Sequence, residues 1–188
     1  MSQTARYIIS VMSVDRVGII HDITDCILAL QGNIEELSQT VMRGYFTVLF
    51  EATFPAEVTA GDVKAKLEAG GREPGELQGL IMPREIEVPE VAKRKDTYIL
   101  TARGPDKPGT IHRIASFLAG HDINYEDLYC YIEGEQFIMS AQLTLPPTLP
   151  FERLQIDLEM VGREADIEIV LQHENIFRAV NDVRMVDS

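Results

Sequence analysis

The chain contains an internal repeat, and this repeat constrains the possible folds more than any other feature. Residues 7–55 align without a gap onto residues 98–146, at a constant offset of 91, and 13 of the 49 aligned pairs are identical. Two unrelated segments of average composition share about three identities over this length. A period of 91 residues also exceeds the roughly 20–45 residues of a stacked solenoid repeat. The sequence therefore predicts a duplicated domain, with one copy at residues 1–91 and the other at residues 92–188. The second copy includes a C-terminal extension after His173, which exceeds the repeat.

Each copy shows the same order of hydrophobic patterns. A short apolar run, Tyr7–Met12 or Tyr98–Ala102, is typical of a buried strand, and a turn with Asp and Gly follows it. Apolar residues at helical spacing then predict a helix in each copy. They are Ile19, Ile20, Ile23, Cys26, Ile27 and Leu30 in the first copy, and Ile111, Ile114, Phe117 and Leu118 in the second.

Two segments of alternating polarity around a glycine predict a β-hairpin in each copy. They are Ile34–Met42 with Tyr45–Phe54, and Tyr125–Glu133 with Gln136–Leu145. A second helix, near 60–69 or 151–161, and a last strand, near 77–88 or 167–172, complete the order βαββαβ. The predicted fold class is α+β: two ferredoxin-like domains, each with a four-stranded antiparallel sheet and two helices on one face.

Charge and composition narrow the possible functions. The chain has 17 Lys+Arg against 30 Asp+Glu, a formal charge of −13, so we expect no direct binding to nucleic acid. No apolar stretch reaches the roughly 18 residues that span a bilayer, so we expect no membrane insertion and a cytoplasmic location. Cys26 and Cys130 form no CxxC pair, and no metal-ligand spacing occurs, so we expect half-buried or buried thiols, no metal and no cofactor. The scattered methionines are predicted to fill the core: Met12, Met42, Met82, Met139, Met160 and Met185.

The turn after the first strand of each copy has the composition of a binding site for a zwitterion. It reads Asp15-Arg16-Val17-Gly18 in copy one and Asp106-Lys107-Pro108-Gly109 in copy two. The glycines allow close backbone approach at a helix N-terminus, which attracts a carboxylate. The aspartates can accept hydrogen bonds from an α-ammonium group, and Asn33 and Asn124 offer a donor and an acceptor. The alternative interpretation makes the aspartates helix N-caps and the asparagines left-handed residues at helix ends.

The order strand, D-x-x-G turn, amphipathic helix, then Asn-Ile or Asn-Tyr at the next strand resembles the ACT domain, a module that senses amino acids. The tandem is similar to the glycine cleavage system transcriptional repressor family, although Val17 replaces the proline that this family has in the turn. The resemblance implies that a small amino acid, such as glycine or serine, binds where two ACT domains pack side by side. The candidate ligand-binding residues are Asp15, Val17, Gly18, Ile19, Asn33, Ile34, Asp106, Pro108, Gly109, Thr110, Asn124 and Tyr125.

The resemblance also implies a non-enzymatic regulator of a partner protein, either a transcriptional regulator or an enzyme. The chain contains no GxSxG, P-loop or GxGxxG motif. The alternatives are a protein-interaction adaptor without a ligand, for which Val17 is the only indication, and a separate regulatory subunit of an enzyme of amino-acid metabolism. His21, Leu28 and His112 lie outside the predicted apolar helix faces and are candidate interface residues, and we expect a homodimer.

Overall fold

The computed structural model of this 188-residue chain describes residues 4–84 and 97–177. The chain divides into two compact units, Met1–Pro89 (unit 1) and Glu90–Ser188 (unit 2). The predicted boundary between residues 91 and 92 lies outside the described residues. Residues 85–88 of the last strand predicted for copy one lie outside them as well.

Unit 1 has the order βαββαβ. Its elements are β1 (Thr4–Val14), α1 (Ile19–Ala29), β2 (Asn33–Met42), β3 (Tyr45–Pro55), α2 (Ala60–Ala69) and β4 (Gln78–Pro83). The strands form one antiparallel sheet in the order β2-β3-β1-β4. The strand β1 is longer than the predicted run because it pairs with β3 along its whole length, from Thr4 opposite Pro55 to Val14 opposite Tyr45.

Unit 2 repeats this architecture. Its elements are β5 (Thr97–Pro105), α3 (Thr110–Gly120), β6 (Asn124–Glu133), β7 (Gln136–Thr144), α4 (Phe151–Ala165) and β8 (Glu168–His173). The sheet order is β6-β7-β5-β8, again with antiparallel neighbours. The predicted fold class is therefore confirmed for both copies.

In each unit the core lies between the two helices and one face of the sheet. Unit 1 buries alternate residues of its central strands against both helices: Ile9, Val11, Phe46, Val48, Phe50, Ile23, Ile27, Val63 and Leu67. The equivalent core of unit 2 contains Leu100, Ala102, Phe137, Met139, Ile114, Leu118, Leu154 and Leu158. Alternation along β3 leaves the second face of the unit 1 sheet without a helix layer among the described residues. On the second face of unit 2, Phe177 of the short helical segment 174–177 lies beside the strands.

Two expectations about the core were wrong. Ile20 and Ile111, predicted on the apolar helix faces, are exposed, because only part of each predicted face meets the sheet. Among the predicted core methionines that the structure describes, only Met139 is buried. The remaining described ones lie at the surface, about half exposed or more: Met12, Met42, Met82 and Met160. Met185 lies outside the described residues.

Candidate functional site

The D-x-x-G turn of each unit ends in a left-handed glycine that begins a helix. Gly18 has φ 94° and is the N-cap of α1, and Gly109 has φ 88° and is the N-cap of α3. Only glycine adopts this backbone without strain. No side chain caps either helix, so the interpretation of Asp15 and Asp106 as N-caps is wrong. The first N–H groups of both helices therefore have no side-chain acceptor. They form the positive end of each helix dipole.

The surface around each turn glycine is open. A Cβ built on Gly109 meets no atom within 4 Å, and one built on Gly18 meets only the Arg16 guanidinium, at 3.7 Å. The backbone N–H of Asp15 donates to Gly44 O at 2.8 Å, and that of Asp106 donates to Glu135 O at 3.0 Å. These bonds fix each turn to the adjacent hairpin and leave both aspartate side chains exposed.

The basic residue at the second position of each turn pairs with an acid just before the last strand of its unit. In unit 1 the Arg16 guanidinium makes a two-pronged contact with the Glu76 carboxylate and bonds Asp22 Oδ2 at 2.6 Å. In unit 2 the equivalent pair is Lys107 Nζ with Asp166 Oδ2, at 3.1 Å and exposed to solvent. The unit 1 pair is more sheltered, because the Arg16 side chain is only 15% exposed. The sequence did not predict the pairing of Arg16 with Glu76 or of Lys107 with Asp166, since the partners are about 60 positions apart.

Acidification should destabilise unit 1 through protonation of Glu76. The hydrogen bonds from the Arg16 side chain and then from the Arg72 backbone lower the pKa of Glu76 from 4.5 to about 2. A depressed carboxyl pKa stabilises the fold fully above the unfolded pKa, and this contribution is lost as pH falls from about 4.5 through about 2. We expect Glu76→Gln to be less stable than the wild type at pH 7 and to lose most of that difference at pH 3. Urea denaturation at both pH values tests this; an equal difference at both would contradict it.

Four of the predicted residues of copy two meet in one place. Pro108, Gly109, Thr110 and His112 line an open depression of about 510 Å³ between α3 and α4. The other lining residues are Lys107, Arg113, Ser116, Glu164 and Ala165. Arg113 faces Glu164 at 3.5 Å. Thr110 is itself buried, and its hydroxyl donates to Lys107 O at 2.9 Å. In unit 1 the equivalent Ile19 belongs to the core, whereas Val17 is exposed.

The predicted asparagines lie at the opposite end of each sheet from the turn. Asn33 begins β2 opposite Thr53, whereas Asp15 follows Val14, which pairs with Tyr45 at the other end of β3. Eight strand residues separate the two levels, a distance of about 26 Å. Unit 2 has the same arrangement, with Asn124 opposite Thr144. A single unit therefore does not bring its turn and its asparagine together.

Both asparagines start an edge strand beside a β-bulge. The pairing register shifts at Glu35 in unit 1 and at Glu126 in unit 2. Asn33 Nδ2 and Thr53 Oγ1 donate to Glu35 Oε1 at 3.1 and 3.0 Å, and these two bonds lower the pKa of Glu35. The left-handed residues after α1 and α3 are Gln31 and Asp122. The alternative interpretation of the asparagines as left-handed residues is therefore wrong.

Ile34 and Tyr125 follow the asparagines and are both half-buried. Ile34 packs against the core of unit 1, and Tyr125 packs against that of unit 2. The Tyr125 hydroxyl is buried without a hydrogen-bond partner among the described residues. Burial also raises the pKa of Tyr125. The two units thus present different side chains at equivalent positions.

We expect Tyr125→Phe to raise the free energy of unfolding of unit 2 by about 1 kcal/mol. The reason is that a buried polar group without a hydrogen bond costs about 1–3 kcal/mol. Tyr7→Phe is the matched control: the Tyr7 hydroxyl donates to Val58 O at 2.9 Å, so its loss should cost about 1 kcal/mol. Chemical denaturation of both variants gives the sign of each change in the free energy of unfolding. A destabilised Tyr125→Phe variant would show that its hydroxyl has a partner.

The three candidate interface residues are exposed, as their positions on the helices predicted. His21 Nδ1 lies 3.2 Å from Asp25 Oδ2. A backbone hydrogen bond at His21 and the Asp25 carboxylate raise the pKa of this imidazole. His112 Nε2 lies 3.5 Å from Ser116 Oγ. Leu28 is 70% exposed and lines a depression of about 530 Å³ with Cys26, Lys66 and neighbouring residues.

The described residues include no group of three or more His, Cys, Asp or Glu side chains arranged to hold a metal ion. Within the same residues, no helix combines the length and the apolar character needed to cross a membrane. Cys26 is buried, Cys130 is half-buried and both are free thiols, as expected. Burial raises the pKa of each thiol.

Comparison with known proteins identifies the repeated unit. The model of the ACT domain family matches residues 96–172. A UPF0237 protein of Methanopyrus kandleri is 30% identical over 86 residues, which are 45% of this chain and 96% of that protein. A UPF0237 protein of Clostridium acetobutylicum is 35% identical over 86 residues, 45% of this chain and 97% of its own length.

Two solved structures share the complete tandem fold. A protein of unknown function from Galdieria sulphuraria has a TM-score of 0.72 at 22% identity, covering 91% of this chain and 99% of its own. A protein described provisionally as a glycine cleavage system transcriptional repressor has a TM-score of 0.65 at 16% identity, covering 92% and 98%. These likenesses concern the fold. With its repeated turn, its two βαββαβ units and its relatives, the chain belongs to the ACT-domain family, as a tandem ACT protein related to the UPF0237 proteins.

Proposed function

We propose that this chain is a non-enzymatic sensor that binds a small amino acid at its D-x-x-G turns and changes its contact with a partner protein. The observation that carries the proposal is the duplicated turn, in which Gly18 and Gly109 are left-handed, open to solvent and followed by a helix that no side chain caps. Two copies of one backbone arrangement in an otherwise divergent repeat favour a shared role in recognition.

The turn supplies complementary groups for the two charges of an amino acid. The N–H groups of the first helical turn bind the carboxylate, since the dipole favours a negative charge there. The exposed Asp15 or Asp106 side chain accepts hydrogen bonds from the α-ammonium group. Because a glycine carries no Cβ, the ligand can approach the backbone of the turn.

We infer that a second ACT domain completes each site. The strands β2 and β6 are sheet edges, and their helix-side residues stay exposed: Leu37, Val41, Leu128 and Ile132. If such an edge pairs antiparallel with the same edge of another ACT domain, the asparagine end of one strand meets the turn end of the other. This pairing removes the 26 Å separation, about eight strand residues, that exists within one unit. Asn33 or Asn124 then reaches a ligand held by the neighbouring domain, in a homodimer.

We propose glycine or serine as the ligand and the regulation of glycine and one-carbon metabolism as the context, through a transcriptional regulator in the cytoplasm. The shared fold of the provisionally described glycine cleavage repressor supports this context. A regulatory subunit of an enzyme would use the same turns in the same way. A ligand-free adaptor would not need them.

A thermal-shift panel of the twenty amino acids tests the proposal, with the amide of each responding amino acid as a matched control. A ligand at 100 times its Kd adds about 2.7 kcal/mol, and each kcal/mol raises Tm by about 2–4 °C for a chain of this size. We expect a shift of several degrees for one or two amino acids and none for their amides, which lack the carboxylate. A flat panel would favour the adaptor, and equal shifts with the amides would exclude carboxylate recognition.

A further inference from the structure

The open face of the unit 1 sheet, opposite its helices, is unusually apolar. Side chains of alternate residues point to this face in register, so that Leu49 and Leu80 flank Ser10, and Met82 lies beside Ile8. The large side chains on this face are about half exposed or more: Met12, Val14, Met42, Tyr45, Leu49, Leu80 and Met82. We call these seven residues, with Ile8 and Ser10, the open face of unit 1.

Unit 2 does not share this surface, although its sheet has the same register. The positions equivalent to Met12, Met42 and Leu49 are Arg103, Glu133 and Ser140. Phe177 also lines a depression of about 550 Å³ over this side of the sheet, with Thr101, Ser140, Val170 and neighbouring residues. The open face of unit 2 instead carries the exposed aromatic residues Tyr129 and Tyr131, so the two units present different surfaces on this side.

The charge distribution indicates which partner this face fits. From the row of Ser10 to the row of Val14, no residue on the face is charged, in a chain in which 25% of residues are charged. The charged groups lie together at the far end, where Glu51 is paired with Arg84. In a two-fold contact each residue lies near the same surface of the partner, so an uncharged face lets two chains of charge −13 meet without bringing like charges together.

Size and shape also fit a second copy. Four strands and the six residue steps from Ile8 to Val14 along β1 give a face of about 19 by 20 Å, or about 380 Å² of flat area per chain. Two such faces bury about 760 Å², which is in the range of weak, transient contacts. The flexible methionines of this face, Met12, Met42 and Met82, can adapt their side chains to the packing of a second copy.

We propose that the open face of unit 1 packs against the same face of a second copy of this chain, sheet on sheet, in a reversible self-association. This contact is separate from the amino-acid site and from the edge strand β2. The small area makes the association concentration-dependent, because interfaces that bury less than about 1,200 Å² are weak.

Sedimentation equilibrium over a range of protein concentrations tests the contact. We expect the average mass of the wild type to rise with concentration, and the mass of Leu49→Lys and of Leu80→Lys at high concentration to be half that of the wild type. Ser140→Lys, at the position of unit 2 equivalent to Leu49, is the matched control and should keep the wild-type mass. Equal masses for the wild type and both leucine variants would overturn the proposal.

Methyl NMR of methionine gives a second measurement that does not depend on substitution. The Met12 and Met82 methyl signals should shift with protein concentration, whereas that of Met160, exposed on α4, should not. Concentration-independent signals for Met12 and Met82 would overturn the proposal. Amino-acid binding by Leu49→Lys should match the wild type, so failure of this contact and failure of the sensor are distinguishable.

Discussion

Replacement of both Gly18 and Gly109 by asparagine is expected to abolish the thermal response to amino acids while the protein stays folded. Asparagine tolerates a left-handed backbone better than other residues with a Cβ, so the φ of 94° and 88° at these positions is retained. Its side chain enters the open space where the ligand carboxylate approaches the helix N-terminus. We expect the Kd to rise at least about tenfold, a loss of about 1.4 kcal/mol.

The hairpin glycines provide the matched control for backbone effects. Gly44 and Gly134 are also left-handed, with φ of 82° and 63°, and a Cβ at either position meets no atom within 4 Å. The double variant Gly44→Asn/Gly134→Asn should keep the full response in the same titration. If the turn variant responds as the wild type does, the ligand site lies elsewhere. The single variants Gly18→Asn and Gly109→Asn measure the share of each turn.

Gly162→Ala is expected to destabilise unit 2 by about 2 kcal/mol. Alanine is intrinsically the better helix former, by about 1 kcal/mol, but Gly162 is the contact point between α4 and β8. A Cβ there lies 2.6 Å from the carbonyl oxygen of Ile167 and 3.2 Å from Ile169 Cγ1. The first of these is backbone that the hydrogen bond from Ile167 N to Gly162 O, at 2.9 Å, holds in place. Overpacking of this kind costs about 1–3 kcal/mol or more.

Gly120→Ala separates this steric effect from helix propensity. Gly120 ends α3, and a Cβ there meets no atom within 4 Å. We expect it to be neutral or to stabilise unit 2 by up to about 1 kcal/mol. Chemical denaturation of the two alanine variants gives both values. A Gly162→Ala variant as stable as the wild type would show that α4 moves away from β8 without cost.

The elements that the sequence predicted correctly are those with local, repeated signals. The alternation from Phe46 to Phe54 and the spacing of Ile19, Ile23 and Ile27 both produce buried faces. Each pattern occurs again in the second copy at a fixed offset. The element order is therefore predicted twice, independently. The left-handed N-caps at Gly18 and Gly109 were not predicted, since the sequence offered only the aspartates as caps.

The features that the sequence did not predict depend on contacts between distant segments. Arg16 and Glu76 are 60 residues apart, and neither pattern nor spacing relates them. Met12 lies one residue from Val11, and only the sheet decides that Val11 is buried while Met12 is exposed. Both faces of β1 carry apolar residues, so hydrophobicity alone does not identify the open face.

The separation of Asn33 from the turn follows from connectivity rather than from composition. After β1 ends at Val14, the helix α1 returns the chain to the level where β1 began, and β2 starts there. The turn precedes α1 and Asn33 follows it, so the two lie near opposite ends of this helix. The residue types along the chain do not indicate the distance between the turn and Asn33, whereas the βαβ topology determines it.

The most direct test of amino-acid sensing at the turns is an amide NMR titration of protein labelled with ¹⁵N at its 13 glycines. We expect a responding amino acid to shift the N–H signals of Gly18 and Gly109 and to leave those of Gly44 and Gly134 nearly unchanged. The Gly18→Asn and Gly109→Asn variants assign the two signals. Unchanged turn glycines at saturating concentrations of all twenty amino acids, or shifts confined to other glycines, would contradict this expectation.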